Sequence, residues 1–362
     1  MTTSDTRRDY LQNQKSSGRK LLGVFPAQFP RELLWAFNIL PVEIWDPPVE
    51  IAQANAHLQP YICSIVRGGL ELILQGKSSL VDGYLFPHTC DSLQNLASIV
   101  NDHLDTGKPC FFFYHPKAVD GQPAREFYRN QLTQLIDRLE QHFGSINIER
   151  LQECIQTSRR LYSQLNELFN LRKQGLLQIT NSDFYATLRR SEFLWPTDYI
   201  SELELLLTQK CVKPLPSRAV VLSGILPNPP EILSLLDQHK IRIAADDLLN
   251  GQRRMTFLPT NANDPLEAIT DAYFAQPPCS TKDSAIAERL KHLQKLTVDS
   301  KSKGVIFNII KFCEPELFDL PQLRAGLRST GIPSLVIETE INQVLSGQIV
   351  TRLEAFLEMI GD

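Results

Sequence analysis

Residues 304–327 read GVIFNIIKFCEPELFDLPQLRAGL, and a strand must end and a helix begin within them. Val305, Ile306, Phe307, Ile309 and Ile310 form a short run of β-branched and aromatic residues, the pattern of a buried strand. Glu314-Pro315-Glu316 then opens a helical pattern. Proline is tolerated in a first helical turn because its missing N–H would be unpaired there anyway. Cys313 therefore stands at a strand-to-helix junction. In an open α/β sheet that edge is where ligands bind. A helix N-terminus also lowers a thiol pKa and favours the thiolate that metals take.

The same alternation recurs along the chain. Residues 20–25 (KLLGVF) predict a first strand, Pro30-Arg31-Glu32 opens a helix through Leu40, and Val42 to Trp45 predicts a second strand. Pro47-Pro48 breaks the chain. A helix after Cys63 is weakened by Gly68-Gly69. Val81 to Phe86 predicts a third strand, running into Pro87-His88-Thr89-Cys90 and a helix that Asp91 or Ser92 can cap. Pro109 to Tyr114 predicts a fourth strand. From Ala124 to about Lys210 a 3.6-residue period takes over, with Leu132, Leu135, Leu139 and Phe143, then Leu161, Leu165 and Leu168. A second alternating block follows, with strands over 219–224, 241–245, 305–310 and 333–338 and helices near 231–238, 283–298 and 347–360. Residues 246–281 read as a polar region without elements.

This pattern predicts an α/β protein of mainly parallel sheets with helices on their faces. Its divisions are an N-terminal segment (1–19, partly flexible), a first α/β domain (20–123), a helical region (124–216) and a second α/β domain (217–362). A length of 362 residues suits two domains better than one. A net charge of −4 argues against a nucleic-acid partner. No apolar run approaches the roughly 20 residues that span a membrane. The polar start, MTTSDTRRDYLQNQKSSGRK, has no signal-peptide core, so a cytoplasmic enzyme is expected.

The seven cysteines are 63, 90, 110, 154, 211, 279 and 313. Their odd number and wide spacing argue against a disulfide framework, and no CxxC pair occurs. Cys63, Cys90 and Cys313 share one context, the start of a predicted helix. Two come from the first α/β block and one from the second, so they could meet in a cleft between domains. Three such thiolates suit an iron–sulfur cluster with one iron left open to substrate. Unligated cysteine is more often core. Cys110 in an apolar strand and Cys154 on a leucine stripe fit that reading; Cys211 ends a helix, and Cys279, in a loop, is a spare ligand. His88, two residues before Cys90, can hydrogen-bond a cluster sulfur or protonate a substrate. Glu32 at a helix start is favourable with the macrodipole. Gly68-Gly69 lacks the GxGxxG spacing of a dinucleotide site.

These pieces together resemble the 2-hydroxyacyl-CoA dehydratase and benzoyl-CoA reductase family. The likeness runs from about Lys20 to the C-terminus, through FPRELLWAFNILPVEIW (29–45), YICSIVRGGLE around Cys63, FPHTCDSLQNL around Cys90, IIKFCEPELFDLPQL around Cys313 and GQIVTRLEAFLEMI at the end. The resemblance implies two flavodoxin-like domains with a helical region. It implies one [4Fe–4S] cluster per chain, held here by Cys63, Cys90 and Cys313. It also implies a related larger subunit or a second copy as partner, and an ATP-hydrolysing iron–sulfur activator that injects one low-potential electron. The substrate would be an acyl-CoA thioester, dehydrated through a ketyl radical or reduced in an aromatic ring. Where the family has Pro-Glu-Glu, this chain has Pro30-Arg31-Glu32, so Glu32 alone matches as an active-site carboxylate. The length is closer to the smaller subunit, which would relay electrons. A branch with a double-cubane cluster carries a lysine-rich run after the second cysteine, which Asp91-Ser92-Leu93-Gln94 lacks. A non-catalytic scaffold of the same fold is the alternative of a different class.

Overall fold

The computed structural model describes residues 6–117, 121–214, 218–255 and 262–361. Residues 1–5 of the N-terminal segment, and the boundary expected at 216–217, lie outside them. The chain divides into two compact units, one of residues 1–160, 190–199 and 258–275, the other of 161–189, 200–257 and 276–362.

Helix α1 (Arg7–Ser16) stands in the segment where sequence predicts no element; a capping box between Thr6 and Asp9 starts it, and Leu11 is its buried anchor. Then come β1 (Lys20–Val24), α2 (Arg31–Ala36), β2 (Ile39–Glu43), α3 (Ser64–Leu74), β3 (Gly83–His88), α4 (Asp91–Ser98) and β4 (Cys110–Tyr114). Helix α2 ends earlier than Leu40 because Asn38 takes a left-handed φ of 57°, and the chain turns directly into β2. The long helices α5 (Gln122–Phe143) and α6 (Ile148–Gln174) follow, then α7 (Asn181–Arg189) and α8 (Pro196–Leu207). The second series is β5 (Arg218–Gly224), α9 (Glu231–Gln238), β6 (Ile241–Leu248), α10 (Gln252–Met255), α11 (Pro265–Phe274), α12 (Ile286–Asp299), β7 (Val305–Ile310), α13 (Glu314–Ser329), β8 (Ser334–Thr339) and α14 (Gly347–Met359). Two of these, α10 and α11, fall in the region read as polar. Asp264 caps α11 on the Leu266 amide, and Ala268, Ile269 and Tyr273 sink into the core of the first unit.

Each unit holds one four-stranded sheet, in the orders β2-β1-β3-β4 and β6-β5-β7-β8, with every pair parallel. The parallel α/β class expected from sequence is the observed one. Strands buried on both faces carry the near-continuous apolar runs that revealed them; β7 is buried at all six positions. The two sheets follow one plan. In each, the order reverses between the first strand and the third, and ligands of such sheets bind outside the strand ends at that switch. The third-rank strand, β3 or β7, leads directly to α4 or α13.

The Gly68-Gly69 pair does not break α3, and packing explains its presence. A Cβ on Gly69 would lie 2.4 Å from Phe25 Cε1, so the helix meets that ring only where the side chain is absent. Phe25 in turn stacks on Phe86, with ring centroids 4.8 Å apart.

Candidate functional site

Three cysteines occupy the same local position. Cys63 is the N-cap of α3, Cys90 of α4 and Cys313 of α13. Cys90 and Cys313 also share a rank, since each follows the third strand of its sheet. At Cys63 and Cys90 the helix N-terminus turns backbone amides toward the sulfur.

In the first unit, α3 packs against α4, and the Cys63 thiol feels the charge of Cys90. Burial pushes the Cys63 thiol up to about 12, and a charge on Cys90 adds to that; the amides of Val66 and Ile65 and the Arg67 cation oppose it. Burial likewise raises Cys90, against the amides of Leu93 and Ser92 and the charge of Lys117. The helix-end lowering expected from sequence is therefore present at both, but burial outweighs it. Two neighbouring cysteines at helix N-termini are donors of the type an iron–sulfur group takes, and as its ligands they would be thiolates. The donor set thus fits an iron–sulfur group. Within either unit, among the described residues, no group of three or more His, Cys, Asp or Glu side chains is arranged to hold a metal ion.

His88 ends β3 and stands edge-on to Tyr114, the paired residue that ends β4, with ring centroids 5.3 Å apart. Its Nε2 is buried without a hydrogen-bond partner. Burial lowers its pKa, and Lys117 lowers it further, so the imidazole is neutral at pH 7. Glu32 is elsewhere in the same unit, buried in the first turn of α2. The Ser158 hydroxyl donates to its Oε1. Burial raises its pKa, with the Ser158 bond and Arg31 opposing.

The remaining cysteines have local surroundings of their own. Cys110 on β4 is half-buried and pushed up to about 11 by burial. Cys154 on α6 packs against the core of the first unit. Cys211 lies 4.0 Å from Gln178 Oε1. Cys279 is fully buried, with its sulfur 3.1 Å from Thr281 Oγ1 and 3.8 Å from Arg253 Nη1.

Sequence reasoning missed the group beside Cys313. Asp247 at the end of β6, Arg253 on α10, Arg289 on α12 and Glu316 in the first turn of α13 form one buried ion network. Arg253 donates to Asp247 Oδ1 and Oδ2 at 2.8 and 2.7 Å and to Glu316 Oε1 at 2.5 Å. The guanidinium ions hold both carboxylates below their usual range despite burial. The visible signal was Asp246-Asp247 closing an apolar strand, followed by Arg253-Arg254.

The neighbouring Asp246 goes the other way. Burial pushes its carboxyl up to about 6, and the charge of Asp247 adds to this, against the amides of Gln252 and Leu248 and the Tyr185 hydroxyl. The folded state then binds more protons than the unfolded one between about pH 4 and 6, so this group's contribution falls as pH rises through that window. The total change is roughly 3 kcal/mol. Urea unfolding from pH 4.5 to 6.5 is expected to show this loss in the wild type and to lack it in Asp246→Asn. Parallel slopes in the two proteins would refute the assignment.

Comparison with known proteins assigns the chain to a family. The family model for 2-hydroxyglutaryl-CoA dehydratase, D-component, matches residues 26–360. The chain belongs to that family. It is 26% identical over 357 residues to the (R)-phenyllactyl-CoA dehydratase beta subunit of Clostridium sporogenes, covering 97% of this chain and 94% of that protein. It is 26% identical over 359 residues to the (R)-2-hydroxyglutaryl-CoA dehydratase beta subunit of Acidaminococcus fermentans, covering 97% and 95%. It is 24% identical over 345 residues to one of the subunits of the benzoyl-CoA reductase of Thauera aromatica, covering 91% and 87%. Among the described residues no helix of this D-component family chain is long and apolar enough to cross a membrane.

Proposed function

We propose that this chain is the iron–sulfur subunit of an ATP-activator-dependent acyl-CoA dehydratase or aromatic acyl-CoA reductase. Family and relatives make it a component of an acyl-CoA dehydratase or reductase. The observation that carries the finer reading is the shared position of Cys63, Cys90 and Cys313, each the N-cap of a helix, with Cys90 and Cys313 each following the third strand of a sheet.

Those three side chains would hold one [4Fe–4S] cluster. When bound, the cluster supplies a single low-potential electron for the thioester substrate. The chain's own residues do the rest. The amides at the starts of α3 and α4 favour charge on the Cys63 and Cys90 sulfurs. His88, neutral and with Nε2 unpaired, is the group beside Cys90 that can give or take a proton. Glu32, kept protonated more readily by burial, can donate a hydrogen bond. The burial of Cys63 would keep water from a strong reductant. The partner is a related larger subunit or a second copy, the electron comes from an ATP-hydrolysing activator, and the assembly works in the cytoplasm.

The test is iron and sulfide content with EPR on protein purified without air and co-produced with its partner subunit. About four irons per chain and a reducible signal are expected. Cys63→Ala, Cys90→Ala and Cys313→Ala should each lose most of the iron, whereas Cys110→Ala should keep it. An iron-free wild type that cannot be reconstituted, or equal loss in Cys110→Ala, removes the proposal.

A further inference from the structure

The first turn of α13 is gripped from outside the helix. Glu316, three residues after Cys313, is 2% exposed. Its Oε1 accepts from Arg253 Nη1 at 2.5 Å and from Ser280 Oγ at 2.7 Å, and its Oε2 from Arg289 Nη2 at 3.1 Å. Arg289 Nη1 also donates to Asp319 Oδ2 at 2.6 Å, one turn further along α13. Both guanidinium groups are themselves fixed against Asp247, Arg253 at 2.7 Å and Arg289 at 3.7 Å. The helix is thus held at two points by cations that cannot swing.

The chain entering the helix is held as well. Phe312, directly before Cys313, has a φ of 63°. A bulky L-residue occupies that region only where its surroundings impose it. The Cys313 amide bonds the Ile310 carbonyl at 2.9 Å, and the Cys313 carbonyl accepts from the Glu316 and Leu317 amides at 3.1 and 3.0 Å. An apolar packing of the same volume would stabilise the unit about as well as buried ion pairs do. Forked, charge-assisted hydrogen bonds supply a fixed orientation in addition.

We infer that Glu316 is a positioning residue: with Arg253 and Arg289 behind it and the left-handed Phe312 ahead of it, it fixes the direction in which Cys313 presents its sulfur. The inference rests on Cys313 being a ligand, as proposed above. Metal–thiolate bonds tolerate only small errors in length, and groups behind the ligands set their aim.

The test uses the full chain after its iron has been chelated, with iodoacetamide as the probe. Alkylation rates of Cys313 and Cys279 are read separately by peptide mass spectrometry. Glu316→Gln and Phe312→Gly are each expected to raise the Cys313 rate about tenfold. Phe312→Gly should leave the buried Cys279 at its wild-type rate. Val221→Ala, which thins the apolar core of the second unit without removing a charge, is the control for general loosening and should raise both rates together. On the iron-loaded chain, Glu316→Gln should change the EPR line shape while iron content stays near wild type. Wild-type Cys313 rates in both variants overturn the inference. So does a Cys279 rate that climbs in step with Cys313 in Phe312→Gly, or an unchanged line shape. A Cys313→Ala chain that keeps its iron overturns the ligand assignment instead, so the two failures are distinct.

Discussion

Arg253→Ala is expected to destabilise the second unit by about 3–5 kcal/mol, the cost of leaving buried charges without their partner. Arg253 is 0% exposed and donates to two carboxylates, Asp247 and Glu316. With it gone, Arg289 alone faces Asp247, Glu316 and Asp319. Burial would then drive the surplus carboxylates to take up protons. The variant's stability should therefore fall as pH rises from about 4, where the unfolded acids ionise and the buried ones resist. The wild type behaves oppositely at the acid end. Its Asp247 and Glu316 lie below their ordinary range, so their contribution is whole above about pH 4 and is lost as pH falls through the folded values. Hydrogen–deuterium exchange of peptides from β6, β7 and α13 checks this directly. Protection in the variant within about 1 kcal/mol of wild type would mean the network contributes little to the unit.

Gly224→Ala is the second large effect, expected to cost about 2–6 kcal/mol and to reduce the yield of folded chain. Gly224 ends β5 with φ of 147°, where β5 pairs with β7. A Cβ there would lie 2.1 Å from the Asn308 carbonyl oxygen, a backbone atom that cannot turn aside. About 1–3 kcal/mol comes from the backbone conformation and about 1–3 from overpacking. The damage would spread, because the Asn308 Nδ2 donates to the carbonyls of Leu226 and Asn228 at 3.1 and 2.9 Å, and its Oδ1 accepts from Thr339. Those bonds tie the loop after β5 to β7 and β8. The urea midpoint and far-UV circular dichroism of the purified variant decide the matter; a midpoint equal to wild type would show that β5 can shift away without loss.

Strands buried on both faces announced themselves, as VIFNII at 305–310 illustrates, because no polar side chain has a solvent face to occupy there. Helix α9 was legible to the residue, since Pro229-Pro230 precedes it and His239 ends it. The short α10 was not, because four residues with two arginines carry no period. That Cys63, Cys90 and Cys313 stand at helix starts followed from local signals, but the cap of α4 is Cys90 itself and not Asp91 or Ser92, which already lie in the first helical turn. The ion network was only half legible: Asp247 and Arg253 are six residues apart, but Arg289 and Glu316 lie far along the chain from them, and only the folded sheet brings the four into one place. The rise of the Cys63 thiol was equally hidden, since burial is a property of the packed unit.

Because the two sheets share a plan, their helices can be matched by rank. Within its unit, α3 precedes the third strand as α12 does, and α4 follows it as α13 does. Cys90 and Cys313 are thus counterparts at the helix after that strand. Cys63 caps the helix before it, and its counterpart, the cap of α12, is Ala285. Two halves built alike offer four equivalent caps, and this chain places sulfur on three of them. At the fourth, Ala285, a methyl group stands where the other three caps carry a thiol.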